Sequence, residues 1–359
     1  MLRIALMGDT MLGRLMNEAA GVSGPAHLWG NTLGVLRSAD LRILNLECVI
    51  SDKGEPWSKT EKVFHFRALP WAMEALKAAS IDYVSLANNH SLDYNEDAML
   101  DMLRRLDEAG IKHAGAGRNA EEASIPAILE ARGLKIALVS ATDNVPEWEA
   151  KKDSPGVNFI PSWPTKDNVP YGRRLAGTRR LPLLGRLGGA AMTEAFTWPE
   201  MARRAKRLVS EARGSDLVIF SAHFGPNMVS RPSALFRRFA RFVMDAGADV
   251  YHGHSAHIFQ GIELRRGKPI LYDTGDFVDD YEVDPVLRND WSFIFLLDID
   301  EKEKKAKKIT LVPIYISGCQ VNLAPEPLSG LICGKMAGLC AEMGTKTRRE
   351  GDNLAIDLR

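Results

Sequence analysis

The sequence predicts an α/β fold, and three observations carry that expectation. Short runs rich in Ile, Val and Leu recur along the chain, as buried strands of βα units do. Segments with apolar residues near a 3.6 period lie between them. Residues of metal-binding type follow one run after another, at the edge where open α/β sheets take ligands.

Taken in order, the first run is residues 3–7, which gives way to a polar turn at Gly8-Asp9. The second is 41–46. A helix over 71–79 precedes the third run, 83–86, and a helix over 96–109, stopped by Gly110, follows it. The fourth run is 135–140. From about 144 to 198 the pattern dissolves into Pro, Gly, Trp and Arg, including Trp163-Pro164 and a basic stretch over 173–186. A connection of that length predicts a lid, a binding loop or a disordered insertion. Pro199 suits the start of a helix over 199–212. A strand over 217–221 comes next, then a helix over 232–246 that gathers Leu235, Phe239, Phe242 and Val243 on one face. Strands over 249–251 and 269–272 follow. Residues 292–299 and 308–316 flank a charged stretch and predict a hairpin with a solvated tip. The expected organisation is one domain over 1–317, with an insertion or lid at about 144–198, and a C-terminal tail over 318–359 packing on it.

Composition narrows the function. With 359 residues the chain can bury a large core. Lys plus Arg and Asp plus Glu are both 46, so no general field draws the chain to nucleic acid or to an anionic membrane. An anionic substrate must be captured locally. The start lacks the basic and apolar regions of a signal peptide, and no apolar run reaches the roughly 18 residues of a membrane span, which predicts a cytoplasmic protein. The cysteines, Cys48, Cys319, Cys333 and Cys340, form no CxxC pair, so neither a disulfide framework nor a zinc ribbon is indicated.

The chemistry sits at five strand ends. They read Gly8-Asp9-Thr10-Met11, Asn45-Leu46-Glu47, Ala87-Asn88-Asn89-His90, Ala222-His223-Phe224-Gly225 and the 252–257 stretch, which holds His252, His254 and His257. Carboxylate oxygen and imidazole nitrogen together suit Mn, Fe or Zn better than Ca or Mg alone. A carboxylate can bridge two such ions, which would clamp a phosphate and activate a water between them.

These residues lie in motifs that resemble the CapA-type proteins of poly-γ-glutamate capsule synthesis, a branch of the calcineurin-like metallophosphoesterase superfamily. The motifs are GDTMLGR, NLECVISD, FRALPW, SLANNHSLDY, GAGRNAEEA, AHFGPN, DVYHGHSAHIFQGIE and GKPILYDTGDFVDDY, with Met343-Gly344-Thr345 near the end. The resemblance implies a sandwich of mixed β-sheets flanked by helices, and a centre of one or two divalent ions. In that centre Asp9 would bind one ion, Glu47 would bridge, Asn89 and His223 would bind the second, and His254 and His257 would complete the shells. It further implies that His90 protonates the leaving group or stabilises charge in the transition state, which suits a histidine's pKa.

The chain departs from the superfamily pattern twice. Met11 stands where an imidazole is usual, and a thioether is a poor ligand for a hard ion, which predicts a weak first position. The late motif is Gly253-His254-Ser255-Ala256-His257, so spacing alone leaves His252 with His254, or His254 with His257, as the pair; the resemblance favours the latter, with His252 in support. Arg67 could take a substrate anion in a fork or form a structural pair. Asn88, Asp273 and Asp276 are further supporting candidates, the two aspartates as groups that orient a metal-bound His or cap a turn. His65, His113 and His27 read as structural. Arg173, Arg174, Arg179 and Arg180 could dress a lid, or simply face solvent.

Two functions compete. One is a metal-dependent hydrolase of a phosphoester, or a related ester or amide, acting on a small anionic substrate through metal-activated water. The other is a CapA-like component of poly-γ-glutamate or amide-bond synthesis without hydrolytic activity. A metal-binding regulatory module would leave His90 without a role.

Overall fold

Alternation along the strands sorts the apolar residues onto opposite faces, and this sorting builds the layers. In the computed structural model, which describes residues 1–162 and 189–358 (the side chains of 189–197 excepted), seven strands frame the site. They are β1 (Leu2–Thr10), β2 (Leu41–Leu46), β3 (Tyr83–Ser85), β4 (Leu134–Thr142), β5 (Leu217–His223), β6 (Val250–His254) and β7 (Asp276–Val278). Most of the expected insertion, with Trp163-Pro164 and Arg173, Arg174, Arg179 and Arg180, lies outside the described residues.

The first sheet runs Arg348–Glu350, Asn353–Asp357, Lys305–Ser317, Trp291–Asp300, β1, β2, β3 and Lys112–Ala114, with β7 pairing the end of β1. Its β1, β2 and β3 are parallel, whereas Trp291–Asp300 is antiparallel to β1. The second sheet runs Ile262–Arg265, Lys268–Leu271, β6, β5, β4 and Ala127–Ala131. Its β4, β5 and β6 are parallel, and both edges are antiparallel.

Leu2, Ile4, Leu6 and Ile43 of the first sheet share one buried cluster with Ile136, Leu138, Leu217 and Ile219 of the second. The intervening residues point outward. Ala5, Met7 and Leu44 pack with Met99, Met102 and Leu106 of the helix Asn95–Glu108. Val139, Val218 and Phe220 pack with Leu208 of Gly189–Glu211 and Phe239 and Val243 of Ala234–Ala246. The result is the α/β sandwich of mixed sheets flanked by helices that the sequence predicts.

The helices expected over 71–79, 96–109 and 232–246 are Ala72–Ala78, Asn95–Glu108 and Ala234–Ala246, the last capped by Ser233 Oγ accepting from Phe236 N–H at 3.3 Å. The helix expected to start at Pro199 differs. It begins at Gly189, and Pro199 lies inside it. The Ala-, Met- and Glu-containing stretch before Pro199 has helix propensity enough to carry one missing backbone donor. Beyond residue 317, Gln320–Leu323 pairs Lys305–Ser317. The helix Leu328–Glu342 puts Ile332, Met336 and Cys340 into the core between the sheets. Among the described residues no helix is long and apolar enough to cross a membrane.

Candidate metal centre

The sheets meet at the C-terminal ends of their parallel strands, and two glycines permit the contact. A Cβ on Gly8 would lie 1.8 Å from the Gly275 carbonyl, and one on Gly253 would lie 2.0 Å from the Tyr272 carbonyl. The segment from Tyr272 to Asp276 therefore lies against β1 and β6 together, and carries Asp273 and Asp276 into the centre. Asp9 pairs in register with Asn45 of β2 and with Asp276 of β7.

Asp9 is central. Its Oδ1 accepts from Asn45 Nδ2 at 2.7 Å and lies 3.8 Å from His223 Nδ1 and 3.7 Å from His254 Nδ1. Its Oδ2 accepts from Ser255 N–H at 3.1 Å and lies 3.7 Å from His257 Nδ1. Glu47 spans the same space. Oε1 is 3.7 Å from His223 Nε2 and 3.9 Å from His90 Nε2, and Oε2 is 3.7 Å from His257 Nδ1. Two groups of donor atoms converge, Asp9 with His223 and His254, and Asp9 with Glu47, His257 and Asp276.

His223 divides the expected second ligand set. Its Nε2 edge meets Asn89 Oδ1 at 2.8 Å, on the side of Glu47, whereas its Nδ1 edge meets His254 Nδ1 at 2.9 Å, on the side of Asp9. Both His254 and His257 reach Asp9. His252 stands behind His254, with ring centroids 5.5 Å apart and Nε2 3.3 Å from Thr274 Oγ1. Asp273 accepts from the Ala256 and Gly275 N–H groups, fixing the turns on either side. Asn88 holds the loop before His90, donating to the Leu46 carbonyl at 2.8 Å and accepting from His90 N–H at 2.9 Å. Asp276, expected in support, holds His257 Nδ1 at 2.8 Å and also stands inside the second donor group. Arg67 is engaged elsewhere, donating to the Lys53 and Gly54 carbonyls and lying 3.7 Å over the Tyr94 ring. Met11 lies in the apolar core, its sulfur accepting from Gly13 N–H.

Electrostatics set the resting protonation. Burial holds the pKa values of His223 and His254 well below the usual range, so both are neutral and can donate a lone pair. His257 is raised despite its burial, because Glu47 and Asp9 face it. Burial pushes Asp9 up to about 6 and Asp273 up to about 8. Glu47 is also raised, first by burial, and neither of its oxygens has a hydrogen-bond partner. An orphaned buried carboxylate costs on the order of 1–3 kcal/mol or more, so native structures pair such groups or give them an ion. Carboxylate, amide and neutral imidazole are the donors that divalent first-row ions prefer. The residues fit a metal centre.

His90 lies beside it. Its Nδ1 is 2.6 Å from Asp93 Oδ2, which also accepts from Phe66 N–H, and the Phe66 ring stacks on the imidazole at 4.0 Å. Lys62 Nζ reaches Asp93 Oδ1 at 3.1 Å and the Asn89 carbonyl at 2.7 Å. Arg14 lies 5.7 Å over Phe66 and 6.0 Å over Tyr281, whose ring meets His257 edge-on at 5.2 Å.

Sequence reasoning passed over Asn45, Ser221, Lys62 and Asp93. A signal existed for three of them. Asn45 and Ser221 lie two residues before Glu47 and His223, on the same strand face, and Asp93 lies three after His90. Ser221 Oγ meets His254 Nε2 at 2.7 Å, which fixes that ring. Lys62, which arrives from a loop, carried none.

Several known proteins are similar to this chain. A probable polyglutamine synthesis accessory protein of Mycobacterium tuberculosis is 29% identical over 336 residues, covering 91% of this chain and 80% of its own. The capsule biosynthesis protein CapA of Bacillus anthracis is 25% identical over 283 residues, covering 78% of this chain and 60% of its own. A 5'-nucleotidase precursor from Thermus thermophilus aligns in structure with a TM-score of 0.40 and 10% identity, over 96% of this chain and 59% of that one. The profile of the bacterial capsule synthesis protein PGA_cap matches residues 3–281, a span that takes in every donor residue from Asp9 to Asp276, and on that match the chain belongs to the PGA_cap, or CapA-type, capsule synthesis family.

Proposed function

We propose that the chain is a metal-dependent hydrolase of a phosphoester, or a related ester or amide, and that Asp9, Glu47, Asn89, His223, His254 and His257 hold the metal. One observation carries the reading: Glu47, fully buried and without a hydrogen-bond partner at either oxygen, faces His223 and His257 at 3.7 Å. When bound, divalent ions supply Lewis-acid polarisation of a phosphoryl or carbonyl oxygen and acidify water. The chain's own residues do the rest. His90 presents Nε2 toward Glu47, its ring held by Asp93 and Phe66. Burial pushes Asp93 up to about 7 and lowers His90, so the pair holds a proton near neutrality. With that proton on Asp93 Oδ2, His90 carries its own on Nε2 and passes it to a leaving-group oxygen; as it goes, the Asp93 proton moves to Nδ1 and Nε2 is left with a lone pair that can accept. Arg14, half-exposed at the aromatic rim, is paired with Asp280 Oδ1 at 3.4 Å and would reach an anionic substrate only by exchanging that partner.

The second reading, a CapA-like part of polymer or amide synthesis without hydrolysis, is favoured by the printed names of the relatives. One experiment separates the two. Protein purified without chelator is analysed for Mn, Fe and Zn, then offered phosphomonoesters, phosphodiesters and glutamyl peptides. Turnover that chelator abolishes supports the hydrolase. Stoichiometric metal with no turnover on any of the panel favours the second reading.

A further inference from the structure

We infer that Asp276 is a metal ligand, taking the place that the missing imidazole at Met11 leaves open, and that the two ion positions therefore differ in kind. The inference rests on the metal-centre reading above. Residue 11 faces the apolar core, so nothing from β1 beyond Asp9 reaches the centre. β7 fills the gap. It pairs with β1 at Asp9↔Asp276, and the close approach at Gly8 leaves room for it.

The donor atoms support the assignment. His257 Nδ1 is 2.8 Å from Asp276 Oδ1 and 3.7 Å from both Asp9 Oδ2 and Glu47 Oε2. One nitrogen thus faces three carboxylates, with Asp9, Glu47 and Asp276 all fully buried. A divalent ion among these four groups would meet three oxygen ligands and one nitrogen at once. If Asp276 served only to orient His257, the Nδ1 that it holds would point away from the other carboxylates, and it does not.

The other position is built differently. His223 and His254 bring two imidazoles to Asp9, with Asn89 on the far edge of His223. Carboxylate-rich sites suit Mn²⁺ and Mg²⁺, and imidazole-rich sites suit Zn²⁺. The chain is therefore built for a mixed pair, a hard ion at Asp9, Glu47, His257 and Asp276, and a softer ion at Asp9, His223 and His254.

The test uses the full chain, stripped and reloaded with Mn²⁺ and Zn²⁺, with metal content and melting temperature as readouts. Wild type should take up one of each ion. Asp276→Asn should lose the Mn²⁺ and its share of the melting-temperature rise while keeping the Zn²⁺. Asp276→His, which restores a ligand of softer type, should bind two Zn²⁺ in place of the mixed pair. The metal-free variants' melting curves show that they fold. Equal Mn²⁺ affinity in wild type and both folded variants would overturn the role of Asp276. A wild-type chain that binds neither ion would overturn the metal-centre reading itself.

Discussion

The two sheets contribute unlike chemistry to one site. The first supplies acids and amides: Asp9 from β1, Glu47 after β2, Asn89 after β3 and Asp276 from β7. The second supplies imidazoles: His223 from β5, His254 from β6 and His257 just beyond. Each donor group draws on both sheets. Metal bound here would be a contact between sheets as much as a cofactor, so it should stabilise their packing by mass action.

The strongest way to break the comparison is Asp9→Ala. Asp9 stands in both donor groups, so its loss should cost more metal affinity than the roughly 10–100-fold of an outer partner, at both positions. His223→Ala should empty only the imidazole position. Metal analysis and a melting series decide it, and equal losses in the two variants would mean the halves are not distinct.

His90→Ala sharpens the line between holding metal and doing chemistry. Turnover on any accepted substrate should fall about 10²–10⁴-fold, the range for a general acid, with metal content unchanged. Metal loss in this variant would make His90 a ligand instead.

Ser221→Ala probes the second sheet from behind. Ser221 fixes His254 at 2.7 Å, so affinity at the imidazole position should drop by about tenfold while the acidic position stays intact. Isothermal titration with Zn²⁺ and Mn²⁺ on separate samples would show whether the loss is confined to zinc.

The smallest effect is the pH dependence of the metal-free protein, where the halves oppose each other. Asp273 is pushed up to about 8, burial first and then Asp9, so the folded state binds a proton that the unfolded state has released. Stability from this group is lost as pH rises from the ordinary carboxyl range through about 8. His223 and His254 have depressed values, again from burial, and their contribution is lost as pH falls through the usual histidine value of 6.5. Melting temperature should peak near neutrality, and added metal should flatten the alkaline side. A metal-free protein that gains stability between pH 7 and 8.5 would contradict the acidic half.

Much of this was legible in the sequence, because strand ends and apolar runs are local. The runs at 3–7, 41–46 and 217–221 lie inside β1, β2 and β5, and the donors follow them directly. What could not be read depends on register between distant segments. Asp276 reaches Asp9 only because β7 returns to pair the end of β1, and no spacing within GDTMLGR announces that. Arg67 read as an anion fork or a structural pair, and its Nη1 donates to the carbonyls of Lys53 and Gly54, which a loop brings to it. The start of Gly189–Glu211 was missed because Pro199 reads as a beginning when propensity before it is ignored.

The position of β1 has a consequence for synthesis. Leu2 pairs with Ile299 and Leu6 with Phe295, so one flank of β1 waits for residues made roughly 290 positions later. At about 5–20 residues per second the wait is roughly 15–60 s. Throughout it a nascent chain offers an apolar strand with unpaired backbone groups, of the kind that joins strands of neighbouring chains. Lowering the rate of initiation, which thins the population of unfinished chains on a message, should therefore raise soluble yield more than slowing elongation, which prolongs each one's exposure.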